Sequence, residues 1–162
     1  MAAAKLIVCE KSGAWAVALR REFGADEVRV YETRSLAECG DELRLAPASF
    51  LVCSATAANA ANVCDFLVRL AQRYPDARAV VAANADAADY AELFREGGAL
   101  AVVTSARELR GVANLIRRHF QRFPAYNDSF RTQLWSRLPW TESNSAGVAG
   151  AVEAKKHRPL SK

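Results

Sequence analysis

Five short apolar runs, each followed by a stretch of helical periodicity, leave this chain few ways to fold. The runs are Lys5–Cys9 (KLIVC), Val28–Glu32 (VRVYE), Ser49–Ser54 (SFLVCS), Arg78–Asn84 (RAVVAAN) and Leu100–Ser105 (LAVVTS). Each has the length and the β-branched content of a strand. After each run, apolar residues recur three and four apart, the spacing of one helix face. The faces are Ala16, Leu19 and Phe23; Leu36, Cys39 and Leu43; Val63, Phe66, Leu67, Leu70 and Tyr74; Tyr90, Leu93, Phe94 and Gly97; and Leu109, Val112, Ala113, Ile116 and Phe120. Ser35 is placed to cap the second helix, and Gly24, Pro47, Pro75 and Gly97-Gly98 end the first four. Strict βα alternation requires a parallel sheet covered by helices on both faces. Right-handed crossovers make it doubly wound, a flavodoxin-like three-layer α/β sandwich with strand order 2-1-3-4-5.

The length of 162 residues accommodates one such domain, residues 1–123, and an appendage, residues 124–162. No apolar run approaches the ~20 residues that cross a bilayer. The opening MAAAKLIVCE lacks a basic segment before a long apolar core, so no secretory signal is expected and the cytoplasm is the expected compartment. The four cysteines, Cys9, Cys39, Cys53 and Cys64, form no CxxC pair and no zinc spacing, and read as reduced thiols. Of the net charge of +4, residues 1–123 contribute +1 and residues 124–162 contribute +3, so the basic excess says little about the folded part.

In a doubly wound sheet, ligands bind at the carboxyl ends of the strands. Those ends carry Cys9-Glu10, Cys53-Ser54, Ala83-Asn84 and Thr104-Ser105. Here the chain resembles the receiver domains of two-component response regulators, the CheY-like family, from about Lys5 to Phe123. LIVCEKSG resembles the segment that ends in the receiver's acidic pair. SFLVCSA resembles the strand that ends in the phosphoacceptor aspartate. REGGALAVVTSARELRGV resembles the Gly-Ala turn, fifth strand and Lys-Pro pair. The resemblance implies a phosphorylation pocket, and the residues at its positions depart from the pattern. The acidic pair reads Cys9-Glu10, the phosphoacceptor Ser54, the switch hydroxyl Ala83 or Asn84, and the lysine Ser105. A serine hydroxyl cannot form an acyl phosphate. One carboxylate is a poor anchor for Mg²⁺, which prefers several oxygen ligands in octahedral geometry. The expected product is a degenerate pseudo-receiver, with no cofactor, no metal and no catalytic residue.

Competing chemistries are weaker. Neither His119, on the last helix, nor His157, in the tail, can pair with Ser54. Lys11-Ser12-Gly13 is a fragment of a phosphate loop without the rest of the pattern. Cys9 and Cys53 end neighbouring strands, so a thiol-redox or small-ligand sensor at those tips is the alternative reading. Arg107, Arg110, Arg117, Arg118 and Arg122 line the last helix without a nucleic-acid reading motif or interleaved aromatics, so nucleic acid is not an expected partner, and neither is a membrane. The resemblance makes the fifth strand and last helix an output or dimer surface, with Val102, Arg110 and Arg117 as contacts. The tail from Pro124 lacks a core-forming period and is expected to be disordered. Within it, residues 133–140 concentrate Leu134, Trp135, Leu138 and Trp140, bulk of the kind that anchors interfaces. The sequence therefore points to a non-catalytic signalling module that binds other signalling proteins, or a second copy of itself, without aspartyl phosphorylation.

Overall fold

The structure, a computed structural model, describes residues 3–24 and 27–125. Its strands are β1 (Leu6–Cys9), β2 (Val30–Thr33), β3 (Phe50–Ala55), β4 (Arg78–Ala83) and β5 (Ala101–Val103). They form one parallel sheet in the order β2-β1-β3-β4-β5. The helices are α1 (Ala14–Glu22), α2 (Leu36–Leu45), α3 (Ala60–Arg73), α4 (Ala91–Glu96) and α5 (Leu109–Arg122). Short 3₁₀ turns precede α4 and α5. The expected fold class and strand order are the observed ones.

Alternation along the strands divides the core in two. Ile7, Cys9, Leu51, Cys53 and Val81 face α2, α3 and α4, where they meet Leu43, Leu67 and Phe94. Leu6, Val8, Val52 and Val80 face α1 and α5, where they meet Leu19, Leu109, Val112 and Ile116. Burial on both faces is why β1, β3 and β4 read as continuous apolar runs. Each buried side chain of this size contributes roughly 1.5–3 kcal/mol, and truncating one, such as Phe94, costs about 3–5 kcal/mol. Buried polar groups are also satisfied. Ser49 Oγ donates to the Ala46 carbonyl at 2.6 Å and accepts from Lys5 N–H at 3.0 Å.

Local chemistry sets the boundaries. Ser35 caps α2 as expected, its hydroxyl accepting from Glu38 N–H at 3.2 Å, while the Glu38 carboxylate accepts from Arg34 N–H at 2.7 Å. Two expectations shift. The fourth helix is short, because Gly98 turns the chain at φ 108°, a conformation that suits glycine. Of its expected face only Phe94 is buried, and Tyr90 (39%) and Leu93 (46%) are exposed. The fifth strand is a three-residue edge strand. Leu100 bonds its amide to the Ala79 carbonyl at 2.7 Å but leaves its side chain in solvent. At the other end, Ala4 pairs with the chain beyond α5, its N–H donating to the Pro124 carbonyl at 3.1 Å.

His119 locks α5 to the loop before β3. Its Nε2 meets the Ala48 carbonyl at 2.7 Å, and its ring packs on Phe50 and Phe123 at centroid distances of 5.5 and 5.1 Å. Burial pushes its pKa down, with Arg78 and Arg122 adding to the effect against the Ala48 carbonyl and Asp76. The native state therefore binds this proton less readily than the unfolded chain. The stabilisation is complete above about pH 6.5 and is lost as pH falls through the lower folded value. Urea denaturation from about pH 7 to pH 5 is expected to show falling stability, with a shallower slope in His119→Gln.

Candidate functional site

The parallel register brings the strand tips together. Cys9 lies beside Cys53 on one side and Thr33 on the other. Beyond these tips opens a pocket of about 710 Å³. Four of the expected site residues line it: Cys9, Glu10, Ser54 and Asn84. Ala83, wholly buried at the end of β4, does not line it. Nor does Ser105, whose hydroxyl accepts from Arg107 N–H at 3.3 Å and so caps the 3₁₀ turn before α5. Asn84 donates its N–H to the Ala55 carbonyl at 2.8 Å and starts the turn into α4. Ser54 lies within β3, one residue before its end, and is half-buried.

Among the described residues Glu10 is the only carboxylate lining the pocket, and it is bound to the start of α1. Its Oε1 accepts from Ala16 N–H at 2.6 Å, and its Oε2 accepts from Trp15 N–H and from the Ser12 hydroxyl, both at 3.1 Å. Gly13 turns the chain into α1 at φ 80° and offers no side-chain cap. Glu10 therefore supplies the acceptor and the negative charge that the helix start needs. The geometry commits this carboxylate to the fold.

The register sets Cys9 beside Cys53, on the neighbouring strand tips where the sequence places them. Cys9 and Cys53 share a sheet face, but Cys53 is fully buried and its thiol is pushed strongly up by burial. Cys39, on α2, sits over the same row, its sulfur 2.9 Å from the Thr33 hydroxyl. Cys39 is also the hydrogen-bond partner that holds the Cys9 thiol below its ordinary range, and burial opposes that effect. Cys64 is half-buried on α3. Among the described residues, no group of three His, Cys, Asp or Glu side chains is placed to hold a metal ion.

The sequence singles out Lys11 only as part of a phosphate-loop fragment and gives no sign of the pocket's other two cations, Arg34 and Arg69. Lys11 follows β1, Arg34 follows β2, and Arg69 lies on α3, and all three line the pocket. Arg34 could have been found by extending the strand-tip rule to β2. Arg69 could not, because it lies well along α3 from the tips and only the packed fold brings it there.

Of the expected contact residues, Arg110 is exposed and Val102 half-buried. Arg117 is engaged within the domain: its guanidinium pairs with Glu27 at 2.5 Å and donates to the Glu22 carbonyl at 2.8 Å. Leu134, Trp135, Leu138 and Trp140 lie outside the described residues.

No family model matches the chain, and no curated protein matches it in sequence. Solved structures do. A response regulator from Thermotoga maritima is 14% identical and superposes with a TM-score of 0.60 over 74% of this chain and 98% of its own. This chain has the receiver fold. A CheY-like protein, TadZ, from Pseudomonas aeruginosa is 22% identical, with a TM-score of 0.56 over 75% of this chain and 97% of its own. An atypical orphan response regulator, described as working by a phosphorylation-independent regulatory mechanism, is 14% identical, with a TM-score of 0.57 over 70% of this chain and 95% of its own. At these identities the likeness is one of fold. The receiver sheet places its tips around one pocket, and in this chain α1 holds that pocket's carboxylate.

Removing the Glu10 cap leaves buried amides without an acceptor. Glu10→Ala is expected to destabilise the domain by about 2 kcal/mol, read as a lower urea midpoint at unchanged m-value. Glu10→Gln, which keeps an acceptor but loses the charge, is expected to fall between the two.

Proposed function

We propose that this chain is a receiver-fold interaction module that works without aspartyl phosphorylation and has no catalysis of its own. The observation that carries this reading is the commitment of Glu10 to the start of α1. On the resemblance, Ser54 occupies the phosphoacceptor position, where a hydroxyl cannot become an acyl phosphate. Ser105 occupies the lysine position and caps a turn instead. Mg²⁺ would have to compete with backbone amides for the Glu10 carboxylate. The atypical orphan regulator with the same fold supports the reading by its described mechanism.

Such a module acts through its surface. Exposed large apolar side chains concentrate around α4 and β5: Tyr90, Leu93 and Leu100 are 39%, 46% and 50% exposed. Three such residues in one stretch of chain, beside the half-buried Val102 on the short edge strand, form the contact face. Arg110 flanks it on α5, and the tryptophan-containing residues 133–140 supply a second contact. Arg117, tied to Glu22 and Glu27, is left out. The partners on this reading are other cytoplasmic signalling proteins, a second copy of the chain among them. Among the described residues no helix is long and apolar enough to cross a membrane.

A thiol sensor is the second reading. The in-register placement of Cys9 beside Cys53 at the strand tips favours it.

The test is cross-linked capture of partners by the full chain, with and without acetyl phosphate and Mg²⁺. Capture is expected to be the same in both, with no phosphoryl group on the protein by mass spectrometry, and to be lost in Leu93→Glu/Leu100→Glu. Phosphorylation at Ser54, or capture that changes with acetyl phosphate, contradicts the reading.

A further inference from the structure

The strand-tip pocket has the wrong sign for a cation and the right size for a small organic molecule. Its volume of about 710 Å³ lies within the range of roughly 300–1,000 Å³ typical of ligand sites. Lys11, Arg34 and Arg69 reach it from three different elements. Among the described residues none of the three forms an ion pair, although five other cations do. The lining carboxylate, Glu10, is held by α1. Glu38 and Asp86, which accept from the amides of Arg34 and Ala57, do not line the pocket.

The rest of the lining mixes neutral polar side chains with the apolar Cys9, Leu36 and Ala58. Ser54, Thr56, Asn62 and Asn84 line the pocket, and among the described residues their side chains have no hydrogen-bond partner. Hydroxyls and amides of this kind bond sugar hydroxyls and phosphate oxygens alike. Among the described residues no aromatic side chain lines the pocket, so a nucleobase has no ring there to stack on.

We infer that this pocket binds a phosphorylated small molecule without an aromatic base, its phosphate on Arg34, Arg69 and Lys11 and its polar body on the Ser, Thr and Asn side chains. Arginine is suited to the task because its planar fork matches phosphate oxygens in pairs. The inference goes beyond the interaction reading and stands apart from it. Non-covalent binding here needs neither a partner protein nor phosphoryl transfer to Ser54. Phosphorylation of Ser54 would overturn the interaction reading and leave the ligand to be tested by itself.

The experiment is a titration of the full chain by amide NMR with ribose 5-phosphate, with inorganic pyrophosphate, and with ribose as the uncharged control. Saturable shifts are expected in the amides of Lys11, Ser12, Arg34, Ser35 and Thr56, weakened about tenfold or more in Arg34→Gln/Arg69→Gln. Both substitutions are at exposed positions, and an unchanged thermal midpoint shows that the variant is folded. Binding of ribose 5-phosphate alone assigns a sugar phosphate, and binding of both anions assigns recognition of the phosphate itself. Either supports the proposal. Equal binding by variant and wild type, ribose binding as tight as its phosphate, shifts confined to the arginines of α5, or no binding at all overturns it.

Discussion

The carboxylate of Glu10 sits on the first amides of α1, and the character of the strand-tip pocket follows from it. A helix begins with N–H groups that have no partner within the helix, and its dipole favours negative charge there. Gly13 gives the turn into α1 its left-handed backbone but supplies no acceptor, so the acceptor comes from Glu10. An acidic side chain at the end of β1 therefore serves the fold. With that charge engaged, Lys11, Arg34 and Arg69 dominate the pocket. A site that resemblance alone would fill with a divalent cation becomes one suited to an anion.

The sheet was legible in the sequence because its two determinants are local. Strand runs and helix stripes are read from apolar period, and alternation of the two with right-handed crossovers leaves few strand orders. The strand-tip rule then found Cys9, Glu10, Ser54 and Asn84, which do line one pocket. What periodicity could not supply was the direction in which a side chain meets a distant element. Arg117, expected as a contact of the output surface, is paired with Glu27, 90 positions away. Cys39 looked like one more apolar position on α2, and its sulfur lies 2.9 Å from the Thr33 hydroxyl. Arg69 enters the pocket from a helix that the tip rule does not consider.

The two shifted elements share a cause. Gly97-Gly98 was read as the end of a four-residue face, but the turn leaves α4 only six residues, Ala91–Glu96. That is less than two turns, too short to bury a stripe. Phe94 takes the one inward position, and Tyr90 and Leu93 are left in solvent. The same turn delivers β5 as a short edge strand with Leu100 exposed before it. The turn thus leaves Tyr90, Leu93 and Leu100 exposed, which is where the interaction reading places its partner.

Mg²⁺ titration of the full chain, followed by the amide resonances of Trp15 and Ala16, tests most directly whether Glu10 is committed to α1. These two N–H groups donate to the carboxylate, so any ion that captured it would release them. The account predicts that both resonances stay fixed up to millimolar Mg²⁺ and that thermal stability is unchanged by the ion. Saturable movement of both, together with a rise in the thermal midpoint, would show that the carboxylate is free to serve a metal and would contradict it.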